Sequence, residues 1–156
     1  LGNCIYLSDT SKEIKKKVNS MFTDPEHLQI TDPGHVEGNV VFTYLDAFSN
    51  DEHFAKYLPE YANLDEMKDH YRRGGLGDGT CKKFLFNIME EFLQPMRERR
   101  KQYEQNIPQV YEILRKGSEA ARAEAAKTLA DVRKAMKIDY FDDADLIAEH
   151  TKKYQG

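Results

Sequence analysis

The sequence predicts an all-α fold, an irregular antiparallel helical bundle preceded by a short strand-like segment. Three observations predict it. Apolar residues recur at helical spacing in one stretch after another, period-two alternation is weak beyond the first residues, and no repeat of solenoid length appears.

Asn3 to Leu7 is apolar and short and reads as a strand or extended segment, with no sheet partner evident. Ser8, Asp9, Thr10 and Ser11 then offer N-cap oxygens. Ile14, Val18, Met21 and Phe22 follow at helical spacing, while Lys12, Lys15, Lys16 and Lys17 stay mainly on the other face, which predicts a helix over about 10–22. Thr23-Asp24-Pro25 ends it, because proline disfavours helical geometry in the residue before it. An eight-residue echo follows, TDPEHLQI then TDPGHVEG, most simply two Asp-Pro turns. Val40, Val41, Tyr44, Leu45 and Phe48 predict a helix that stops at Ser49-Asn50, and shorter amphipathic pieces follow at about 51–58 and 64–72.

The strongest helix signal comes after the turn GGLGDG, where Cys81, Leu85, Ile88, Phe92 and Met96 form one stripe widened by Phe84, Met89 and Leu93. It extends through Tyr103 towards Ile107, and Pro95 inside it should kink the helix rather than end it. Ile107 to Leu114 carries on, and Lys116-Gly117 is the expected stop. Ser118 then starts an Ala-rich helix that turns Ala121, Ala125, Leu129, Val132 and Met136 to the core. The tail, Asp139 to Gly156, holds one short helix at about 144–154.

Composition narrows the function classes. With 156 residues, 40% apolar and 32% charged, the chain can bury roughly 68–70% of its unfolded surface and is not collagen-like, low-complexity or disordered. No apolar run reaches the ~20 residues of a membrane span, and Leu1 to Leu7 carries no secretory pattern. Cys4 and Cys81, without any Cys-x-x-Cys, argue against structural zinc and fit a reducing, cytoplasmic setting. A net charge of -4 is not that of a polycation. The start at Leu1, directly before an apolar stretch, reads as a piece of something longer.

Few motifs carry chemistry. The Gly-rich turn is not a phosphate loop, since Thr80 and Cys81 separate Gly79 from Lys82; a flexible lead-in capped by Asp78 or Thr80 is the simpler reading. Lys82 and Lys83 oppose the dipole of their helix, which points to an anionic partner or to tolerance. Asp24 with His27 and Asp32 with His35 could offer metal ligands, but the Glu-x-x-His pattern of helical di-metal sites is absent and no metal is expected. His53, His70 and His150 sit among charged residues and read as solvated. Arg97, Arg99, Arg100 and Lys101, interleaved with Glu98 and followed by Glu104, read as a solvated face. Residue types alone stop at a helical domain.

The order of segments says more. GNCIYLSD, IKKKVNSMFTDP, EGNVVFTYLDAF, KKFLFNIMEEFLQPMRER and GSEAARAEAAKTLADVRKAMKI together resemble the C-terminal part of the bacterial tryptophanyl-tRNA synthetase family over residues 1 to about 138. The most specific pieces are Thr23-Asp24, Gly38-Asn39 with Tyr44-Leu45, and Leu93-Gln94-Pro95 with Arg97 and Arg99. The resemblance implies that Leu1-Gly2-Asn3 directly follows the KMSKS-type signature loop. Residues 1–9 would link to a catalytic domain of the same chain, 10–138 would form the helical anticodon-binding domain, and 139–156 a C-terminal extension. It also implies that the catalytic residues, and the ATP and magnesium sites of the full protein, lie outside these residues. The partner would be tRNA(Trp), with Asp24 accepting from a base amino group and Lys82 meeting a base or phosphate. Lys83, Arg97 and Arg100 are weaker candidates for backbone contacts. The full protein would be a homodimer and this part a monomer, with no membrane partner. Two other classes fit the residues without the resemblance: a helical protein-interaction or scaffold domain, and a helical metal-dependent enzyme built on the Asp-Pro-x-His units.

Overall fold

Asparagine, threonine and aspartate side chains start most of the helices. The computed structural model describes residues 4–141 and 143–155, and among these the regular structure is entirely helical. Helix α1 (Ser11–Asn19) opens with a capping box in which Thr10 and Glu13 exchange bonds. Asn39 caps α2 (Val40–Phe48), Asn50 caps α3 (Asp51–Tyr57) and Asn63 caps α4 (Leu64–Arg73). Then come α5 (Asp78–Glu104), α6 (Ile107–Ala135) and α7 (Ala144–Tyr154), the last capped by Asp143. No helix among the described residues is long and apolar enough to cross a membrane.

The chain divides into two compact units, Leu1–Gln102 and Tyr103–Gly156. The first has a core in which the α5 stripe, Cys81, Phe84, Leu85, Ile88, Met89 and Leu93, meets Ile14 and Val18 of α1, Phe42 and Leu45 of α2, Phe54 of α3, and Met67 and Tyr71 of α4. Each such aliphatic or aromatic side chain stabilises the fold by about 1.5–3 kcal/mol. In the second unit neither α6 nor α7 contains a buried residue.

Four sequence expectations change. Cys4 to Leu7 forms no strand; it bends into a turn closed by the Asp9 amide on the Tyr6 carbonyl, consistent with the lack of any sheet partner among the described residues. Leu1, Gly2 and Asn3 lie outside the described residues. Helix α1 stops three residues early because its last carbonyls are taken by side chains: Ser20 Oγ donates to Lys17 O and Lys82 Nζ to Asn19 O. The break between the long helices falls at 105–106, not at Gly117. Asn106 accepts from the Gln109 amide and Pro108 cannot donate into a preceding turn, whereas Gly117 costs only about 1 kcal/mol inside strong helix formers. Finally, Leu129, Val132 and Met136 of α6, expected to be buried, are exposed. Helix α5 does run through Pro95, as its pattern predicted.

The cysteines differ sharply. Burial, with Asp78 nearby, pushes the Cys81 thiol up to about 12, while Cys4 is exposed. A thiol reagent should therefore modify one cysteine in the native chain and two in denaturant. Rapid native modification of both would contradict the packing around α5.

Candidate nucleic-acid interface

The stretch Asn19–Asp24 lies between two turns of α5 that hold its ends. Lys82 Nζ donates to the Asn19 carbonyl at 3.0 Å, and one turn earlier Asp78 Oδ2 accepts from Thr23 Oγ1 at 2.8 Å. Asp78 is therefore no helix cap. Its other oxygen accepts from Tyr71 OH at 2.7 Å and lies 3.5 Å from His27 Nδ1. Tyr71 OH also accepts from Asn39 Nδ2 at 3.3 Å, and the His27 ring packs against Tyr71 at 4.7 Å between centroids. His27 Nε2 is buried with no hydrogen-bond partner among the described residues. This network joins α4, α5, the Asn39 cap and the first Asp-Pro turn.

Asp24 ties the two turns to each other. Its Oδ1 accepts from the Glu26 amide at 2.9 Å, while Oδ2 accepts from the His35 amide at 2.7 Å and meets His35 Nδ1 at 2.8 Å. The side chain is 4% exposed, against 66% for His35. Three of roughly four acceptor positions are thus taken, leaving one on Oδ1. Beside the pair opens a cleft of about 120 Å³ whose walls include Phe22, Thr23, His35, Glu37 and Asn39. Phe22 is 59% exposed at its rim. Sequence reasoning weighed His35 only as a metal ligand and read Phe22 only as part of the apolar face of α1. An apolar residue with helical spacing that falls beyond the helix end is the signal that could have found Phe22.

The Glu26 and His35 amides hold the Asp24 carboxyl down at about 2, and the bond to Asp24 and its charge raise the His35 imidazole. Asp24 thus contributes stability above its ordinary value of 3.8, lost as pH falls through about 2. His35 contributes fully below its ordinary 6.5, and that contribution is lost as pH rises through the elevated value. His35→Gln should accordingly lower the melting temperature more at pH 5.5 than at pH 9. A deficit of equal size at both would show that the pair does not respond to charge.

The remaining candidates are not brought together. Lys83 is exposed one residue beyond Lys82, but Arg97 stands fifteen residues further along α5 than Lys82, about 22 Å at 1.5 Å per residue. It is paired with Glu90, and its Nη1 is buried without a partner among the described residues. Arg100 is exposed one turn beyond. The turn before α5 is not a loose lead-in either: Gly75 N donates to Ile30 O at 2.6 Å and Leu76 is buried. Nor are two of the histidines merely solvated. His53 Nδ1 accepts from the Asn50 amide at 3.1 Å, and His70 Nδ1 lies 2.6 Å from Tyr61 OH. Among the described residues no group of three His, Cys, Asp or Glu side chains could hold a metal ion.

Comparison with known proteins matches residues 1–94 to the family model for tRNA synthetases class I (W and Y). The chain is 52% identical over 143 residues to a tryptophan–tRNA ligase of Clostridium longisporum, covering 92% of this chain and 39% of that protein. Against the same ligase of Streptococcus pyogenes it is 50% identical over 141 residues, covering 90% and 39%. It spans about two fifths of the length of these curated relatives. Among solved structures it is similar to tryptophanyl-tRNA synthetase from Campylobacter jejuni, with a TM-score of 0.64 and 22% identity over 86% of this chain and 40% of that one, a likeness of fold.

Proposed function

Because the chain belongs to the class I tRNA synthetases of the W and Y type, we propose that it is part of a tryptophan–tRNA ligase and holds the anticodon of tRNA(Trp). The observation that carries this reading is half-identity to such ligases over nine tenths of the chain. The whole protein would attach tryptophan to tRNA(Trp) with ATP and magnesium, through an aminoacyl-adenylate, as a homodimer. Residues 1–9 would join the catalytic body, 10–138 would form the anticodon-binding domain, and 139–156 would extend it.

The geometry suits that role. Anticodon bases are single-stranded and can be splayed, so their edges are open to short polar groups held rigidly at helix ends. The Asp24 cleft is such a place, with a lone acceptor position on Oδ1, the exposed imidazole of His35, and Phe22 at the rim as a surface for stacking. Lys82 uses one of three N–H donors on Asn19, which leaves two for a base or phosphate. Lys83, Arg97 and Arg100 would, more weakly, follow the backbone.

A gel shift with tRNA(Trp) and with the same tRNA carrying a different anticodon tests the reading. The first should bind more tightly, and equal binding would overturn the anticodon assignment. The isolated chain should form no tryptophanyl-adenylate, since activation needs positioned groups that stabilise charge on the phosphates and none is assigned here. Tryptophan-dependent ATP–pyrophosphate exchange above background would contradict this.

A further inference from the structure

We propose that the outward face of α1, formed by Lys12, Lys15 and Lys16, holds the phosphate backbone of the RNA strand that runs into the Asp24 cleft. This surface is separate from the groups assigned to bases. It rests on the reading that RNA occupies the cleft.

Ile14 and Val18 are fully buried, which turns Lys12, Lys15 and Lys16 outward on one face of the same helix, Lys12 about one turn before the other two. None of the three makes a hydrogen bond or ion pair with a described residue. Elsewhere in this unit cations meet carboxylates: Lys17 lies on Asp9, Lys56 on Glu91, Lys68 on Asp46, and Arg72 on Glu37 and Asp69. Lys15 Nζ lies 5.9 Å from the centre of the Phe86 ring of α5.

That contact fixes the direction of the patch. Phe86 lies one turn after Lys82, and Lys82 reaches the carbonyl at the end of α1, so α1 meets this stretch of α5 at Lys15 and again at Asn19. Three lysines without an acidic partner thus share one face of the helix that leads into Asn19–Asp24, and Lys82 bonds the first residue of that stretch, in a chain whose net charge is -4. A run of cations without hydrogen-bonding specificity suits the repeating charge of a nucleic-acid backbone, which confers affinity and register but no base discrimination.

Labelled tRNA(Trp), and the same tRNA with its anticodon changed, would be titrated with the chain by fluorescence anisotropy across a salt series. Wild type would be compared with Lys12→Gln/Lys15→Gln/Lys16→Gln and with the matching Lys→Arg triple. All six substitutions are at exposed positions, and thermal melts verify folding. The Gln triple should flatten the slope of log affinity against log salt by about 2, weaken both tRNAs by the same factor, and leave their ratio unchanged, while the Arg triple keeps the wild-type slope. A Gln-triple slope equal to wild type would overturn the proposal, as would polyglutamate binding the chain as tightly as tRNA, which would assign the face to an acidic protein. Equal wild-type affinity for the two tRNAs, with the slope change intact, would remove the anticodon reading and leave the lysine face standing. Absence of binding to either tRNA at the lowest salt would remove both.

Discussion

Gly34→Ala is expected to lower the melting temperature by roughly 10 °C, although it adds one methyl group to a loop. Gly34 N donates to the Tyr71 carbonyl at 3.0 Å with the Tyr71 ring over it, and a Cβ there would overlap the ring, with Cδ1 at 2.7 Å. The ring cannot swing away cheaply. It is fully buried, and its hydroxyl bonds Asp78 and Asn39, so any shift also unpairs polar atoms that have lost their water. Overpacking costs about 1–3 kcal/mol and an unpaired buried polar group a similar amount. Each kcal/mol moves the midpoint of a chain this size by about 2–4 °C. Gly79→Ala is the control: a Cβ at Gly79 meets nothing within 4 Å, and the change should be neutral or slightly stabilising. Similar melting temperatures for the two variants would refute the close approach of the 31–38 segment to α4.

Lys82→Ala should weaken tRNA(Trp) binding by about five- to 150-fold if Lys82 makes a base contact worth 1–3 kcal/mol. It should lower the melting temperature by only a degree or two, since the bond it loses lies at a partly exposed helix end. Asp24→Ala should behave differently. Its three accepted bonds hold the two Asp-Pro turns together, so the melting temperature should fall by roughly 4–10 °C whether or not RNA is read there. Asp24→Asn keeps part of that bonding and is the informative variant for binding, because an amide that donates where the carboxylate accepts should lose discrimination between anticodons. Unchanged affinity in both Lys82→Ala and Asp24→Asn would end the contact assignment for these residues.

Periodicity made the first unit legible. The α2 pattern, and the α5 stripe apart from the exposed Phe92, lie where 3.6-residue spacing put them, because these faces bury apolar area, and the expected tail helix starts at its Asp143 cap. What failed had local and long-range causes. The end of α1 is held by Ser20, which bonds the carbonyls of its last turn, and by a lysine 63 residues away on Asn19. Gly117 looked like a stop because its local signal is real, but a single glycine is a small cost within a helix of alanines and glutamates. Asp24 and Lys82 were singled out through family resemblance, and the structure adds what neither resemblance nor spacing contained: Asp24 is committed to His35, and Asp78, read as a cap, holds Thr23 and Tyr71 instead. Phe22 and His35 gain their place at the cleft only from the way the turns fold back on each other.

If this chain holds the anticodon of tRNA(Trp), as proposed, the contact is visible at nucleotide resolution. With the chain bound to end-labelled tRNA(Trp), hydroxyl-radical and base-specific probes should show protection confined to the anticodon loop and adjoining stem, lost from the anticodon bases in Lys82→Ala while the stem stays covered. Protection centred on the acceptor end, or an anticodon loop as reactive as in free tRNA, would contradict an anticodon-binding role.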